Sequence, residues 1–267
     1  MNTAQTRLCG LIGWPVEHSR SPEMHNAAFL ALQLDYVYLA FAVAPNHLRS
    51  AIVGAQVLGL RGLNVTVPHK VDALALCQPD ELSAKVGAVN TLTFEGDRCL
   101  GSNTDVHGFS ALLGELALRP RRVLVLGQGG AARAVATALF DRVDQLTLVA
   151  RRPARLMLGN QTVEVLPWQP PLLADRLATC DLLVDATSRG LHNDPETIDL
   201  ERLSSSAVVI DLTARTHTPL TAAARQRGLA AHTGSLMLLH QGARAFELWT
   251  GRPAPLAVMR ETLESRR

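Results

Sequence analysis

The sequence of 267 residues lacks the features that indicate a metal site, a secreted protein or a membrane protein. Its four cysteines form no C-x-x-C pair, so we expect Cys9, Cys77, Cys99 and Cys180 to be buried reduced thiols. Residues 1–7 contain no apolar stretch of a signal peptide, and no later segment reaches about 18 uninterrupted apolar residues. We therefore expect a soluble, cytoplasmic protein without a metal ion.

The sequence also lacks an excess of charge of one sign. With 26 lysines and arginines against 24 acidic residues, its formal net charge of +2 is too small to indicate a nucleic-acid or membrane partner. Repeats and low-complexity linkers are missing as well. Hydrophobic residues make up 47% and charged residues 19%, so the chain can bury a large core and is long enough for two domains.

The stretch from Val123 to Arg133 is the most informative part of the sequence. Four consecutive branched apolar residues predict a buried parallel strand, and the good helix formers of 131–139 predict a helix directly after it. The turn between them is G-x-G-x-x-A, in which Gly127 and Gly129 permit a tight turn and a close approach of a pyrophosphate to the helix N-terminus. The pattern predicts a dinucleotide site; the alternative is a glycine-rich turn in an ordinary α/β domain.

Arginines follow the next predicted strand, 146–149, and they indicate which dinucleotide would bind. An NAD site normally has an acidic residue about 20 residues beyond the glycines, where it binds the ribose 2′-hydroxyl. This chain instead has Arg151, Arg152 and Arg155, which are suited to a 2′-phosphate through forked, charge-assisted hydrogen bonds. We therefore predict NADP; the alternative is a basic surface loop.

The first third of the chain shows a βαβ pattern. Strands are predicted at 8–12, 36–43 and 63–67, with one helix from Pro22 to about Leu32 and another, capped by Asn46, to Leu58. The later elements follow the same alternation. They are a hairpin turn at Gly96-Asp97 between strands up to Phe94 and at 99–101, strands at 182–185, 208–211 and 230–232, and helices that start at Pro219, Leu236 and Pro255.

Several polar side chains lie at the ends of these elements. Ser19 and Ser21 either present hydroxyls to a small anionic or polyol ligand, or Ser21 only caps the helix that follows. Lys70 follows the third strand, where ligands collect in parallel sheets; the alternative is a solvated surface charge. Thr104 or Asp105 is expected to cap a helix that continues to about residue 116. The spacing alone leaves the alternatives for the serines and the lysine open.

Six separate motifs then give the chain a family resemblance. It resembles the shikimate dehydrogenase family over nearly its whole length. The matching segments are H-S-R-S-P at 18–22, N-V-T-V-P-H-K at 64–70, G-A-V-N-T at 87–91, N-T-D at 103–105, G-Q-G-G-A at 127–131, and Gly234 with Met237, Leu238 and Gln241. Agreement at all six is far more specific than the glycine pattern.

The resemblance implies roles for particular residues. It implies that Lys70 and Asp105 are the catalytic pair and also contact the substrate. The implied ligands of the hydroxyls and carboxylate of a shikimate-like ring are Ser19, Ser21, Thr66, Asn90 and Gln241. The implied NADP-binding residues are Gly127, Gly129, Gly130, Ala131, Arg151, Arg155, Thr187 and Gly234.

The resemblance also implies the fold and the reaction. It implies a two-domain α/β fold: an α/β substrate domain of residues 1–104 completed by C-terminal helices of 235–267, and a Rossmann-type NADP-binding domain of 105–234. The implied reaction is the reversible NADP-dependent reduction of 3-dehydroshikimate to shikimate, by a monomer or homodimer. Quinate or aminoshikimate as substrate, or a low-turnover NADP and ring-acid binding protein, are the alternatives.

Two departures from the family pattern are visible. Ala150 stands where members usually have asparagine, which is a small loss beside the retained arginines. The loop 212–217 lacks the tyrosine that members commonly carry, and it is about one residue shorter. We therefore expect shikimate to bind but to turn over more slowly than in relatives that keep the tyrosine, because a misplacement of about 1 Å can cost roughly 100-fold in rate.

Overall fold

The computed structural model describes residues 3–189, 198–215 and 217–265, so position 216 of the loop 212–217 lies outside the described residues. The chain divides into two compact units, one formed by Met1–Gly108 with Leu238–Arg267 and the other by Phe109–Met237. The predicted division, after residue 104 and before residue 235, lies a few residues away from each of these boundaries. The assignment of a substrate-binding role to one unit and of NADP binding to the other stays a prediction.

The described residues form strands and helices in the following order. The strands are β1 (Arg7–Gly13), β2 (Tyr36–Ala42), β3 (Gly62–Val65), β4 (Gln78–Pro79), β5 (Thr91–Glu95), β6 (Arg98–Ser102), β7 (Arg122–Leu126), β8 (Gln145–Ala150), β9 (Leu156–Leu158), β10 (Gln161–Pro167), β11 (Leu182–Asp185), β12 (Val208–Asp211) and β13 (Ala230–Thr233). The helices are α1 (Ser21–Ala31), α2 (Leu48–Val57), α3 (Glu81–Val86), α4 (Thr104–Glu115), α5 (Gly130–Leu139), α6 (Pro170–Thr179), α7 (Pro219–Gln226), α8 (Ser235–Thr250) and α9 (Leu256–Glu264). No helix in these ranges combines the length and hydropathy that crossing a bilayer requires.

The first unit contains a six-stranded sheet in the order β2-β1-β3-β5-β6-β4. β1 pairs in parallel with both β2 and β3, which confirms the predicted βαβ pattern. β5 runs antiparallel to β3 and to β6. The predicted turn at Gly96-Asp97 joins β5 to β6, and Gly96 has a φ of +58°, a conformation that favours glycine.

Helices α8 and α9 complete the first unit. Trp249 of α8 is fully buried, and its indole N–H donates to the carbonyl of Leu92 at 3.0 Å. Gly62 of β3 permits this approach, because a Cβ at that position would overlap the indole. Arg20, before α1, donates to the carbonyl of Thr262 at 2.7 Å and to the carbonyl of Leu263, so its guanidinium caps the end of α9.

The second unit contains a seven-stranded sheet in the order β13-β12-β11-β7-β8-β10-β9. All neighbouring pairs are parallel except β9 with β10. Without β9 this is the 3-2-1-4-5-6 order of a Rossmann sheet, with β7 as its first strand. The predicted α/β, Rossmann-type fold is therefore confirmed. The central strands β7, β8, β11 and β12 are mostly buried, and the core includes Leu124, Leu126, Val149, Leu183 and Val209.

Three predicted helix caps are wrong. α1 begins at Ser21 itself, so Ser21 is not the cap, and the preceding residue Arg20 makes no capping bond with its side chain. Asn46 lies in a short 3-10 turn, and α2 begins only at Leu48. α4 begins at Thr104, and Asn103 accepts from the N–H of Val106 at 3.3 Å in place of Thr104 or Asp105.

The sequence predicted α7 correctly but missed several other elements. The predicted start of α7 at Pro219 is confirmed, and Thr218 caps this helix through a capping box with Thr221. Gly228 follows the helix with a φ of +78°. The sequence patterns did not predict α3, α6, β4, β9 or β10. The four cysteines are free thiols, of which three are buried and Cys77 is only partly buried.

His25 on α1 gives a prediction about stability. Its ring is fully buried and stacks on Tyr38 with centroids 4.4 Å apart, and neither ring nitrogen has a hydrogen-bond partner among the described residues. Burial lowers the pKa of His25 to about 3, so the folded protein keeps the ring neutral while the unfolded chain protonates it near pH 6.5. This contribution to stability is complete above the unfolded pKa and is lost as the pH falls towards the folded pKa.

Between pH 7 and pH 5 the free energy of unfolding of the wild type should fall by about 2 kcal/mol because of His25, and we expect His25→Phe to lack this fall. Urea unfolding of both proteins across this pH range measures the effect. His47→Gln, a change at an exposed histidine, is the control and should leave the pH profile unchanged. Parallel profiles for wild type and His25→Phe would contradict the assignment.

Candidate active site

Lys70 and Asp105 form a direct ion pair in the first unit. Lys70 lies in the turn after β3, and Asp105 lies in the first turn of α4. The Lys70 Nζ donates to the Asp105 Oδ2 at 2.7 Å, and the side chains are only 14% and 5% exposed. A positive and a negative group held this close, and mostly shielded from water, can donate and accept protons at one position.

Lysine is an unusual choice in this chain. Lys70 and Lys85 are the only lysines among its 26 lysines and arginines. An arginine would maintain the charge of an ion pair, but its guanidinium does not release a proton in proteins. A lysine at position 70 is therefore able to release a proton, which an arginine in the same ion pair could not do.

Asn90 holds the carboxylate of the pair in place. Its Nδ2 donates to the Asp105 Oδ1 at 2.9 Å, and its Oδ1 accepts from the backbone N–H of Thr104 at 2.7 Å. The same Nδ2 lies 3.3 Å from the Oε1 of Gln241 on α8. The structure thus brings four predicted site residues, Lys70, Asp105, Asn90 and Gln241, into one connected group.

A chain of buried polar groups continues from Asn90 to the serine turn. Thr91 donates to the Asn90 Oδ1 at 3.3 Å and accepts from the Nδ2 of Asn64 at 3.0 Å. The Tyr38 hydroxyl donates to the Asn64 Oδ1 at 2.8 Å and is also hydrogen-bonded to Ser21. Burial raises the pKa of Tyr38 well above its usual value, so its hydroxyl keeps the proton that it donates.

Sequence reasoning gave no role to Tyr38, Asn64 or Thr91. A detectable feature was present at Asn64, which is a polar residue inside an otherwise apolar strand and therefore needs a buried partner. The partner itself, 26 residues earlier in the chain, becomes visible only in the fold.

Ser19 and Thr66 lie at the edges of this network. The Ser19 Oγ accepts from the Ser21 backbone N–H at 3.3 Å. Thr66 directly follows β3, and its N–H donates to the carbonyl of Ile12 at 2.9 Å. Its hydroxyl makes no hydrogen bond with any residue that the structure describes, so it is available to a ligand.

The structure constrains the two glycines Gly127 and Gly129 of the second unit differently. Gly127 has a φ of +110°, and a Cβ there would lie 3.1 Å from the carbonyl oxygen of Ala186 and 3.5 Å from Thr187. The fold itself therefore requires glycine at this position. Gly129 has a φ of −75°, and a Cβ there would meet no described atom within 4 Å. Neither backbone strain nor packing against described atoms therefore requires glycine at 129, and the space beside it is open.

The other predicted cofactor residues surround this turn or lie further along the sheet. Gly130 and Ala131 are the first residues of α5, whose initial N–H groups have no intrahelical partner. Arg151 and Arg155 are exposed, and the structure gives them no hydrogen bond or ion pair with another described residue. Gly234 lies against the backbone of Leu212, where a Cβ would overlap the carbonyl, so its glycine has a packing explanation.

These features define a class of protein. A Rossmann-type sheet with an open glycine turn and unpaired arginines, in a chain that also holds a buried lysine–aspartate pair, is typical of a dinucleotide-dependent oxidoreductase.

Comparisons with known proteins identify the family. The family model of the shikimate dehydrogenase substrate binding domain matches residues 11–92, and that of the shikimate 5'-dehydrogenase C-terminal domain matches residues 234–264. A shikimate dehydrogenase (NADP(+)) of Thermosynechococcus vestitus is 42% identical over an aligned length of 281 residues. The alignment covers 98% of this chain and 96% of that protein. This chain belongs to the shikimate dehydrogenase family.

Solved structures show the same similarity. Shikimate dehydrogenase from Aquifex aeolicus superimposes with a TM-score of 0.87 at 34% identity, covering 99% of this chain and 100% of that one. Quinate dehydrogenase from Corynebacterium glutamicum, in complex with NAD, superimposes with a TM-score of 0.80 at 30% identity, covering 96% of this chain and 98% of that one.

Asn90 gives a prediction about the buried network. We expect Asn90→Ala to destabilise the protein by about 3 kcal/mol, because the buried Asp105 Oδ1 and the buried Thr104 N–H both lose the hydrogen bond that Asn90 makes to them. The measurement is the free energy of unfolding in urea. Asn46→Ala is the matched control, since Asn46 is exposed and contacts only the neighbouring His47 through its side chain in the described structure. A loss below about 0.5 kcal/mol for Asn90→Ala would show that the network does not stabilise the unit.

Proposed function

We propose that this chain catalyses the reversible NADP-dependent reduction of 3-dehydroshikimate to shikimate. The observation that carries the proposal is the buried Lys70–Asp105 pair, held by Asn90 and Gln241 in a chain of this family. The name of the Thermosynechococcus vestitus relative, shikimate dehydrogenase (NADP(+)), supports both the substrate and the cofactor.

Lys70 has the proton-transfer role in this reaction. NADPH, when bound, supplies a hydride to the carbonyl carbon. The Lys70 ammonium donates a proton to the carbonyl oxygen as negative charge develops there, and solvent then reprotonates the amine. Asp105 holds the ammonium at 2.7 Å and accepts a hydrogen bond from a neighbouring ring hydroxyl. In the oxidation direction the Lys70 ammonium first releases a proton to solvent, and the neutral amine then accepts the proton of the substrate hydroxyl.

The polar residues around the pair orient the ring. We assign the substrate carboxylate to the serine turn, where Ser19 and Ser21 present hydroxyls. Thr66, Asn90 and Gln241 are assigned to the ring hydroxyls. The hydrogen-bond network behind them fixes these side chains before the substrate arrives, which reduces the entropy lost on binding.

The second unit fits NADP. The open space at Gly129 lets a pyrophosphate approach the backbone N–H groups of Gly130 and Ala131 at the start of α5. Arg151 and Arg155 are free to bind the 2′-phosphate. The remaining proposed cofactor contacts are Gly127, Thr187 and Gly234.

Quinate dehydrogenation is the second candidate. The TM-score of 0.80 against a quinate dehydrogenase supports it, and so does the absence of a tyrosine from residues 212–217. Aminoshikimate and a low-turnover binding role are further outcomes that the assays below distinguish. The intact Lys70–Asp105 pair argues against the binding role.

Replacement of Lys70 tests the proton-transfer role. We expect Lys70→Ala to lower kcat at least ~100-fold while NADP still binds with wild-type affinity. Steady-state kinetics with shikimate and titration with NADP measure the two effects. Lys85→Ala, a change at the other lysine of the chain, should retain wild-type kcat. Near wild-type kcat in Lys70→Ala would remove Lys70 from the mechanism.

A matrix of substrates and cofactors tests the specificity. We expect NADP to exceed NAD in kcat/KM, and shikimate to exceed quinate and aminoshikimate, with a kcat below that of relatives that have the tyrosine. The six combinations are compared by kcat/KM on the purified wild-type protein. A preference for NAD would refute the assignment of the arginines, and a preference for quinate or aminoshikimate would refute that of the substrate. If no ring acid turned over, the binding role would replace the enzymatic one.

A further inference from the structure

Gln128 connects the glycine turn to the arginine loop, which we define as residues 151–155. Its side-chain amide binds both backbone groups of one residue: the Gln128 Nε2 donates to the Ala154 carbonyl, and the Ala154 N–H donates to the Gln128 Oε1 at 3.0 Å. Two bonds to the same residue fix the direction of the backbone as well as its position.

The arginine loop has little else to hold it. It has no regular secondary structure between the end of β8 and the start of β9. No other residue of the described ranges hydrogen-bonds to the backbone between Arg151 and Arg155. The glycine turn, from which the Gln128 side chain extends, is fixed, because the N–H of Gly127 donates to the carbonyl of Val149 at 2.8 Å. One glutamine side chain therefore sets the separation between the glycine turn and the arginines.

We propose that Gln128 is a positioning residue for cofactor selection: by holding Ala154, it keeps Arg151 and Arg155 where they bind the 2′-phosphate of NADP. The inference rests on the proposed function. A loop that is ordered before binding loses less conformational entropy when the ligand arrives. NAD has no 2′-phosphate, so its affinity does not depend on ordered arginines. The two hydrogen bonds from Gln128 to Ala154 therefore favour the binding of NADP alone.

The test compares wild type with Gln128→Met, which retains the length of the side chain but loses both hydrogen bonds. Dissociation constants for NADP and NAD are measured by calorimetry, and kcat by steady-state assay. We expect the NADP dissociation constant to rise about tenfold, that of NAD to change less than about twofold, and kcat at saturating NADP to be unchanged. Gln56→Met is the matched control, because Gln56 also donates to a backbone carbonyl, that of Gly96 at 3.0 Å.

A double-mutant cycle shows whether Gln128 acts through the arginines. In an Arg155→Ala background, Gln128→Met should weaken NADP binding by clearly less than tenfold. Equal weakening of NADP and NAD, an unchanged NADP affinity, or full additivity with Arg155→Ala would overturn the proposal. A wild-type protein that binds NADP tightly but shows no effect of Gln128→Met would reject this inference alone. A wild-type protein that does not prefer NADP would reject the proposed cofactor, and the inference with it.

Discussion

The burial of Lys70 and Asp105 is the constraint that organises the first unit. Removing two charges from water costs several kcal/mol for each, and only close geometry with additional hydrogen bonds offsets that cost. Asn90, before β5, donates to Asp105, and Asn90 is itself bonded to Thr104 at the start of α4 and to Gln241 on α8. The positions of these elements are therefore tied to one ion pair.

The second unit holds backbone groups in place where its strands end. Its strands end in short turns that their own side chains stabilise: Asp185 accepts from the N–H of Thr187 at 2.8 Å, and Asp211 accepts from the N–H of Thr213 at 2.9 Å. Together with the positive φ of Gly127, these turns hold backbone groups rather than flexible side chains at the carboxyl ends of the sheet.

The sequence predicted the central strands well because β7, β11 and β12 are short apolar runs, typical of a parallel sheet. It did not predict β10, because only Val163 of this strand is buried and the strand lacks such a run. Local spacing left two interpretations of Lys70 open and gave Asp105 only a capping role, and only the family resemblance suggested that they act together. Their contact spans 35 residues, a separation at which single-sequence patterns carry no information.

The capping of α9 by Arg20 has a consequence for the order of folding. The sheet of the second unit lies within the continuous stretch Phe109–Met237, so all its strands are available once that stretch has been synthesised. The first unit is different, since the indole of Trp249 and the carbonyls of Thr262 and Leu263 reach it last. Until then the core side chains that pack against α8 and α9 stay uncovered. During translation, synthesis of the first unit therefore begins before that of the second unit but is completed after it.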